Sequence, residues 1–230
     1  MKLLVISPAP SIEYASKMIA TARRVGIEPM IYGLTSNHPH GKDYQGTDIV
    51  KILEKTDAEY VMGVDAPDVA FLAGESEILD VFQRFEYPLV FSTEYDGVTG
   101  LERTQQELDR QCKEAGGYFA RLNIGAWIGE TEYALQCFNL AEYLYKDHPE
   151  NPAYSYDNHF QWLAQMKAFG GAPFDLDIHC RLFQSMNKAK VEWIDGRIRN
   201  TVTGTLPPVI HYNGDPTRGD YNAAVARLLA

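Results

Sequence analysis

The sequence predicts an α/β fold, a central sheet flanked by helices. Three observations carry that expectation. Short apolar runs alternate with amphipathic ones, the amphipathic runs repeat their apolar residues at helical spacing, and the breaks fall on Gly, Pro and Asp. Residues 3–6 (Leu-Leu-Val-Ile) form the first such run, a buried strand closed by Ser7-Pro8-Ala9-Pro10. From Ile12 the apolar positions Ala15, Met18, Ile19, Ala22 and Val25 mark one helical face, and Gly26 stops the helix. Residues 29–32 predict a second strand, residues 48–55 a short helix with Asp48 as N-cap, and residues 60–64 a third strand. This βαβαβ rhythm belongs to a parallel sheet covered by helices.

The alternation continues with a helix over 75–85, a strand over 89–91 and a helix over 105–115 ended by Gly116-Gly117. A strand over 126–128 and a helix over 131–145 follow. A Pro- and Tyr-rich loop over 149–156 leads into a helix ending near Phe169. In the more irregular C-terminal third, residues 191–194 and 197–199 flank Asp195-Gly196, a strong β-hairpin signal. No repeat, low-complexity tract or linker divides the 230 residues, so a single domain over 1–230 is expected.

Composition narrows the function. Twenty-one Lys and Arg against 31 Asp and Glu give a net charge of −10, which offers no global attraction to nucleic acid or an anionic membrane. No apolar run approaches the roughly 20 residues of a spanning helix, and the first is too short for a signal-peptide core. Cys112, Cys137 and Cys180 are odd in number and form no CxxC pair, as expected of reduced thiols in the cytoplasm.

Four segments can carry chemistry. In the first, the apolar strand 61–64 ends in Asp65, with Asp68 three residues on. Carboxyl ends of strands are where ligands sit in open α/β sheets, and two carboxylates there can hold a divalent cation that neutralises a diphosphate. The alternative is a capped turn at Asp65 and a solvated Asp68. The second is Val209-Ile210-His211-Tyr212-Asn213-Gly214, where a short strand delivers a histidine and Asn-Gly can expose backbone amides to a phosphate. An imidazole beside two carboxylates would favour Mn²⁺ over Mg²⁺, while His211 alone reads as a hydrogen-bonded structural residue. The third, Asn123-Ile124-Gly125-Ala126-Trp127-Ile128-Gly129, places glycines where a ligand or tight packing needs close approach. In the fourth, Asp157-Asn158-His159-Phe160, Asp157 serves either as a helix N-cap or as a carboxylate facing a cleft.

Taken in order with Leu89-Val90-Phe91-Ser92-Thr93-Glu94, Leu176-Asp177, Arg181-Leu182-Phe183-Gln184 and Arg199-Asn200, these segments resemble the glycosyltransferase domain of the procollagen lysyl hydroxylase family. The resemblance spans nearly the whole chain. It implies a GT-A-type fold with a Rossmann-like mixed central sheet, and a metal-dependent transfer of glucose or galactose from a UDP-sugar. The acceptor hydroxyl would lie on a protein, a glycan or a modified nucleobase. It implies Mn²⁺, with Mg²⁺ as the alternative, held by Asp65, Asp68 and His211, and the donor near Asn213 and Gly214. Ser7, Asn123 and Arg218 complete the expected donor set. Catalytic roles fall to Asp157, Asn158 and Glu94. Residues 1–115 would form the nucleotide-sugar half and 116–230 the acceptor side with the returning metal ligand, the uridine lying near the 33–46 loop.

The chain departs from the family pattern where an aspartate run is reduced to Asp157 followed by Asn158. It departs again where Val98 stands near an expected tryptophan, and where Tyr212 replaces a glycine. A free-standing cytoplasmic bacterial or viral enzyme is the expectation. A non-catalytic sugar-nucleotide-binding protein and a metal-dependent nucleotidyltransferase are the rival readings. The latter lacks a GxxxxGK[ST] phosphate loop.

Overall fold

The computed structural model describes residues 2–34, 45–95, 102–146, 163–170, 174–214 and 218–230. Strand β1 (Leu3–Pro8), helix α1 (Ser16–Arg24), β2 (Met30–Tyr32), α2 (Gln45–Lys55) and β3 (Tyr60–Val64) realise the predicted βαβαβ. They continue into β4 (Val69–Phe71), α3 (Glu75–Phe82), β5 (Leu89–Glu94), α4 (Glu102–Glu114), β6 (Arg121–Glu130) and α5 (Thr131–Lys146). A π-helical turn (Met166–Gly170) precedes β7 (Asp175–Leu176), β8 (Phe183–Ser185), β9 (Val191–Ile194), β10 (Arg197–Asn200), β11 (Val209–His211) and α6 (Arg218–Leu229).

The main sheet has the order β2-β1-β3-β6-β5-β7. It is mixed: β1 runs parallel to β2 and β3, whereas β6 is antiparallel to both β3 and β5. Both faces are buried, which explains why the strands read as continuous apolar runs. Val5, Met62, Val90 and Ile128 face one core with Met18, Ile78 and Phe82, while Ile6, Val61, Phe91 and Trp127 face the other with Leu53, Leu108 and Phe138. Strand alternation thus splits neighbouring residues between two hydrophobic layers. A Cβ on Gly63 would lie 2.2 Å from Trp127 Nε1, so glycine there admits the indole of the adjacent strand.

Several boundaries differ from the sequence reading. Helix α2 starts at Gln45, so Asp48 lies inside its first turn rather than at the N-cap. Strand β6 is ten residues long, not three, because residues 121–123 also pair, with β5. Strands β4 and β8 were not anticipated. They flank β11 in a second sheet, β4-β11-β8, whose outer face packs Ile210 and Tyr212 against Tyr221 and Val225 of α6. The β9–β10 hairpin is as expected, with Asp195 and Gly196 both at positive φ (48° and 76°), the geometry of a two-residue turn whose twist matches its strands. Among the described residues no helix is long and apolar enough to cross a membrane.

Candidate metal and donor site

The site forms where the carboxyl end of β3 meets the end of β11. Asp65 directly follows β3 and Asp68 directly precedes β4. Strand β4 pairs antiparallel with β11, placing Val69 opposite His211, and Tyr212 N donates to Asp68 O at 2.8 Å. Pairing between segments some 140 residues apart therefore carries the imidazole to the two carboxylates. His211 Nε2 lies 3.3 Å from Asp68 Oδ1 and 3.9 Å from Asp65 Oδ2.

A bulge in β6 supplies the floor. Phe91 of β5 pairs with Trp127, but the next residue, Ser92, pairs with Asn123, so residues 124–126 swell out of the ladder with β5 while Ala126 stays paired with Val64 of β3. Asn123 Oδ1 holds the swelling by accepting from Gly125 N at 2.7 Å, and Ser92 Oγ donates to Asn123 O at 2.9 Å. Gly125 O in turn accepts from Asp65 N at 2.9 Å. A Cβ at position 125 would stand 2.3 Å from His211 Cε1 and 2.8 Å from Asp65 Oδ2. The bare glycine leaves the space into which the three side chains converge.

The donor set suits a divalent cation. One ligand atom from each of Asp65, Asp68 and His211 can be chosen so that all lie within 4.8 Å of one another. Atoms bound at roughly 2.0–2.6 Å to one cation sit at most about 5 Å apart. His211 is 3 % exposed and Asp68 9 %, yet Asp68 Oδ1 and His211 Nδ1 have no hydrogen-bond partner among the described residues. Buried polar atoms are rarely left so, and a bound ion or water is the usual reason. Burial disfavours the imidazolium, but Asp68, then Asp65 and Glu94, outweigh it and hold the His211 pKa above its ordinary value.

The other expected residues divide into two groups. Asn213 lies two residues past His211 and is engaged at both ends of its amide. Nδ2 donates to Glu94 Oε2, and Oδ1 accepts from Asn187 N at 3.3 Å. Gly214 follows at φ +88°, a conformation that favours glycine. Ser7 lies beside the site, its Oγ donating to Val64 O at 2.7 Å. The Asn123 carbonyl oxygen is occupied in shaping the bulge. Arg218 opens α6, and its side chain lies outside the described residues, as do Asp157, Asn158, Val98 and most of the 33–46 loop. Sequence reading missed Ser92 and Tyr32. Tyr32 ends β2 opposite Pro8 of β1, and burial, then the Asp65 and Asp48 carboxylates, push its phenol up. Tyr32 stands in no motif, Ser92 lies in the Leu89–Glu94 segment without a role marked there, and strand register and hydrogen bonding reveal them.

Asp177, carried by the resemblance, has a structural task. It is fully buried and accepts from the backbone N–H groups of Arg181, Leu182 and Phe183 at 2.7–2.9 Å. It thereby fixes the turn that launches β8 beside β11.

Comparison with known proteins agrees with this architecture. The family model described as the PLOD GT domain matches residues 2–223. Among solved structures, the chain resembles a glycosyltransferase involved in the glycosylation of the major capsid of PBCV-1. The TM-score is 0.54 at 12 % identity, and the match covers 98 % of this chain and 100 % of that one. No match is found among curated proteins.

Proposed function

The chain belongs to the PLOD GT domain family and is a glycosyltransferase, and on that premise we propose that it moves glucose or galactose from a UDP-sugar to a hydroxyl acceptor with the help of a divalent cation. The observation that carries this reading is the convergence of Asp65, Asp68 and His211 around the space kept open by Gly125. Mn²⁺ suits two carboxylates and an imidazole, with Mg²⁺ as the alternative. When bound, such a cation neutralises the charge that develops on the diphosphate as UDP departs.

The remaining steps fall to the chain's own residues. The bond from the anomeric carbon to the β-phosphate oxygen breaks, the bond to the acceptor oxygen forms, and the acceptor's proton passes to a carboxylate. Glu94 suits that role, or stabilisation of the positive sugar in the transition state, because Asn213 holds it beside the metal ligands. Gly214 would offer its backbone N–H to the diphosphate, with Ser7, Asn123 and Arg218 around the donor and Asp157 and Asn158 toward the acceptor. In this division residues 1–115 bind the nucleotide-sugar, while 116–230 carry the acceptor side and return His211. The free, separate cysteines suit work in a reducing compartment such as the cytoplasm.

Calorimetric titration of UDP in Mn²⁺, in EDTA and with Asp68→Asn tests the reading without an acceptor. Binding that needs Mn²⁺ and weakens at least about tenfold in the variant is expected, since losing a buried charged ligand costs over about 1.4 kcal/mol. Equal heats in EDTA, or no heat in any condition, would remove the metal-dependent donor site.

A further inference from the structure

A groove of about 580 Å³ runs from Glu94 along the start of β6 to the end of α4. This lies within the roughly 300–1,000 Å³ of small-molecule sites. At one end it meets the donor site, because Glu94 lines it while accepting from the Asn213 amide. The same Asn213 accepts from Asn187 N and so braces the turn carrying Lys188 (φ +57°), which forms the opposite wall. One side chain thus ties the groove's two walls to the strand end that bears His211.

The lining is aromatic and mixed in charge. Tyr95, whose position directly follows Glu94, is 50 % exposed, and its ring lies edge-on to Phe119 at 6.3 Å. Phe119 in turn stacks on Tyr118 at 4.3 Å. The Tyr118 hydroxyl accepts from Lys190 N at 3.0 Å, which fixes its ring against the 186–190 turn. Around these rings stand Lys113, Arg121 and Lys188 against Glu94 and Asp109. Lys188 Nζ lies 4.3 Å from the Tyr95 ring centre, and Arg121 pairs with Asp109 at 3.4 Å.

Resting on the glycosyltransferase reading above, we infer that this groove binds the acceptor, and that the acceptor is a saccharide whose ring lies on Tyr95 with its reacting hydroxyl toward Glu94. A half-exposed aromatic ring matches the C–H face of a pyranose once the flexible Lys188 ammonium swings off it, and that ammonium with the other donors and acceptors of both signs matches its hydroxyls. A lysine-bearing peptide acceptor fits less well. Three cations outnumber two carboxylates here, which disfavours a further ammonium.

Saturation-transfer NMR with methyl β-galactoside, methyl β-glucoside and lactose, in UDP and Mn²⁺, tests the inference, with free 5-hydroxylysine as comparator. Transfer to pyranoside ring protons is expected in the unmodified protein and in Tyr95→Phe. It should fall at least about fivefold in Tyr95→Ala, since stacking on an aromatic ring contributes ~1 kcal/mol or more. UDP heats should be the same in all three proteins. Equal transfer in Tyr95→Ala, no transfer to any saccharide, or transfer to hydroxylysine alone would overturn the inference while UDP still binds. Loss of UDP binding in every form would instead count against the donor reading.

Discussion

Gly125 and His211 are mutually exclusive in volume: a Cβ on the first would stand 2.3 Å from Cε1 of the second. The contact joins the β6 bulge to the end of β11 and holds the cluster of Asp65, Asp68 and His211 open. A single methyl group is therefore a sensitive probe of the site.

Gly125→Ala should displace the imidazole and the Asp65 carboxylate while leaving the sheet paired. Overpacking of this kind costs roughly 1–3 kcal/mol, read as a lower urea midpoint. Mn²⁺-dependent UDP binding should weaken by at least about tenfold. Retention of full Mn²⁺ response at unchanged stability would mean that the open space at Gly125 does not matter to the cluster.

Glu94→Gln keeps an oxygen able to accept from Asn213 but removes the charge. Release of UDP from UDP-glucose or UDP-galactose should slow by about 10²-fold or more if the carboxylate takes a proton or faces a sugar cation. UDP affinity, measured by calorimetry, should stay within about threefold. A variant that turns over normally would assign the proton to another carboxylate, and a large loss of UDP affinity would make Glu94 a donor-binding residue.

Burial pushes the Cys112 and Cys137 thiols up to about 11. At pH 8 each is then roughly 0.1 % thiolate, and iodoacetamide should label the native protein far more slowly than the urea-unfolded one. Because the folded values exceed the unfolded value near 8.5, the associated stability is fully present below pH 8.5 and is lost as pH rises toward 11. The urea midpoint should fall across that window, and fall less in Cys137→Ala. Rapid labelling of the native protein at pH 8 would contradict the burial of Cys112 and the partial burial of Cys137.

Much of this molecule was legible in one dimension. The main strands β1, β3 and β5 announce themselves as short apolar runs because both sheet faces are buried, and the hairpin turn at Asp195-Gly196 because few dipeptides accept two positive φ angles. The pair Asp65 and Asp68 stood out because acids directly after an apolar strand lie at a ligand-binding edge. The long β6 did not, since Arg121-Leu122-Asn123 pairs with β5 without a continuous apolar run to mark it, and neither did β4 and β8, three residues each and too short to register as strands.

What the sequence determined by itself was local: element type, chain charge, and the kinds of ligand that Asp65, Asp68, His211 and Asn213 can supply. The tertiary structure alone decided which of them meet. His211 reaches the carboxylates only because β11 lies between β4 and β8, and Glu94 reaches Asn213 only because that sheet abuts the end of β5. The role of Gly125 was likewise undetermined until the bulge set by Asn123 and Ser92 put it under the imidazole. Such contacts depend on strand register between segments far apart in the chain, and register is fixed by burial of whole faces rather than by the residues that meet.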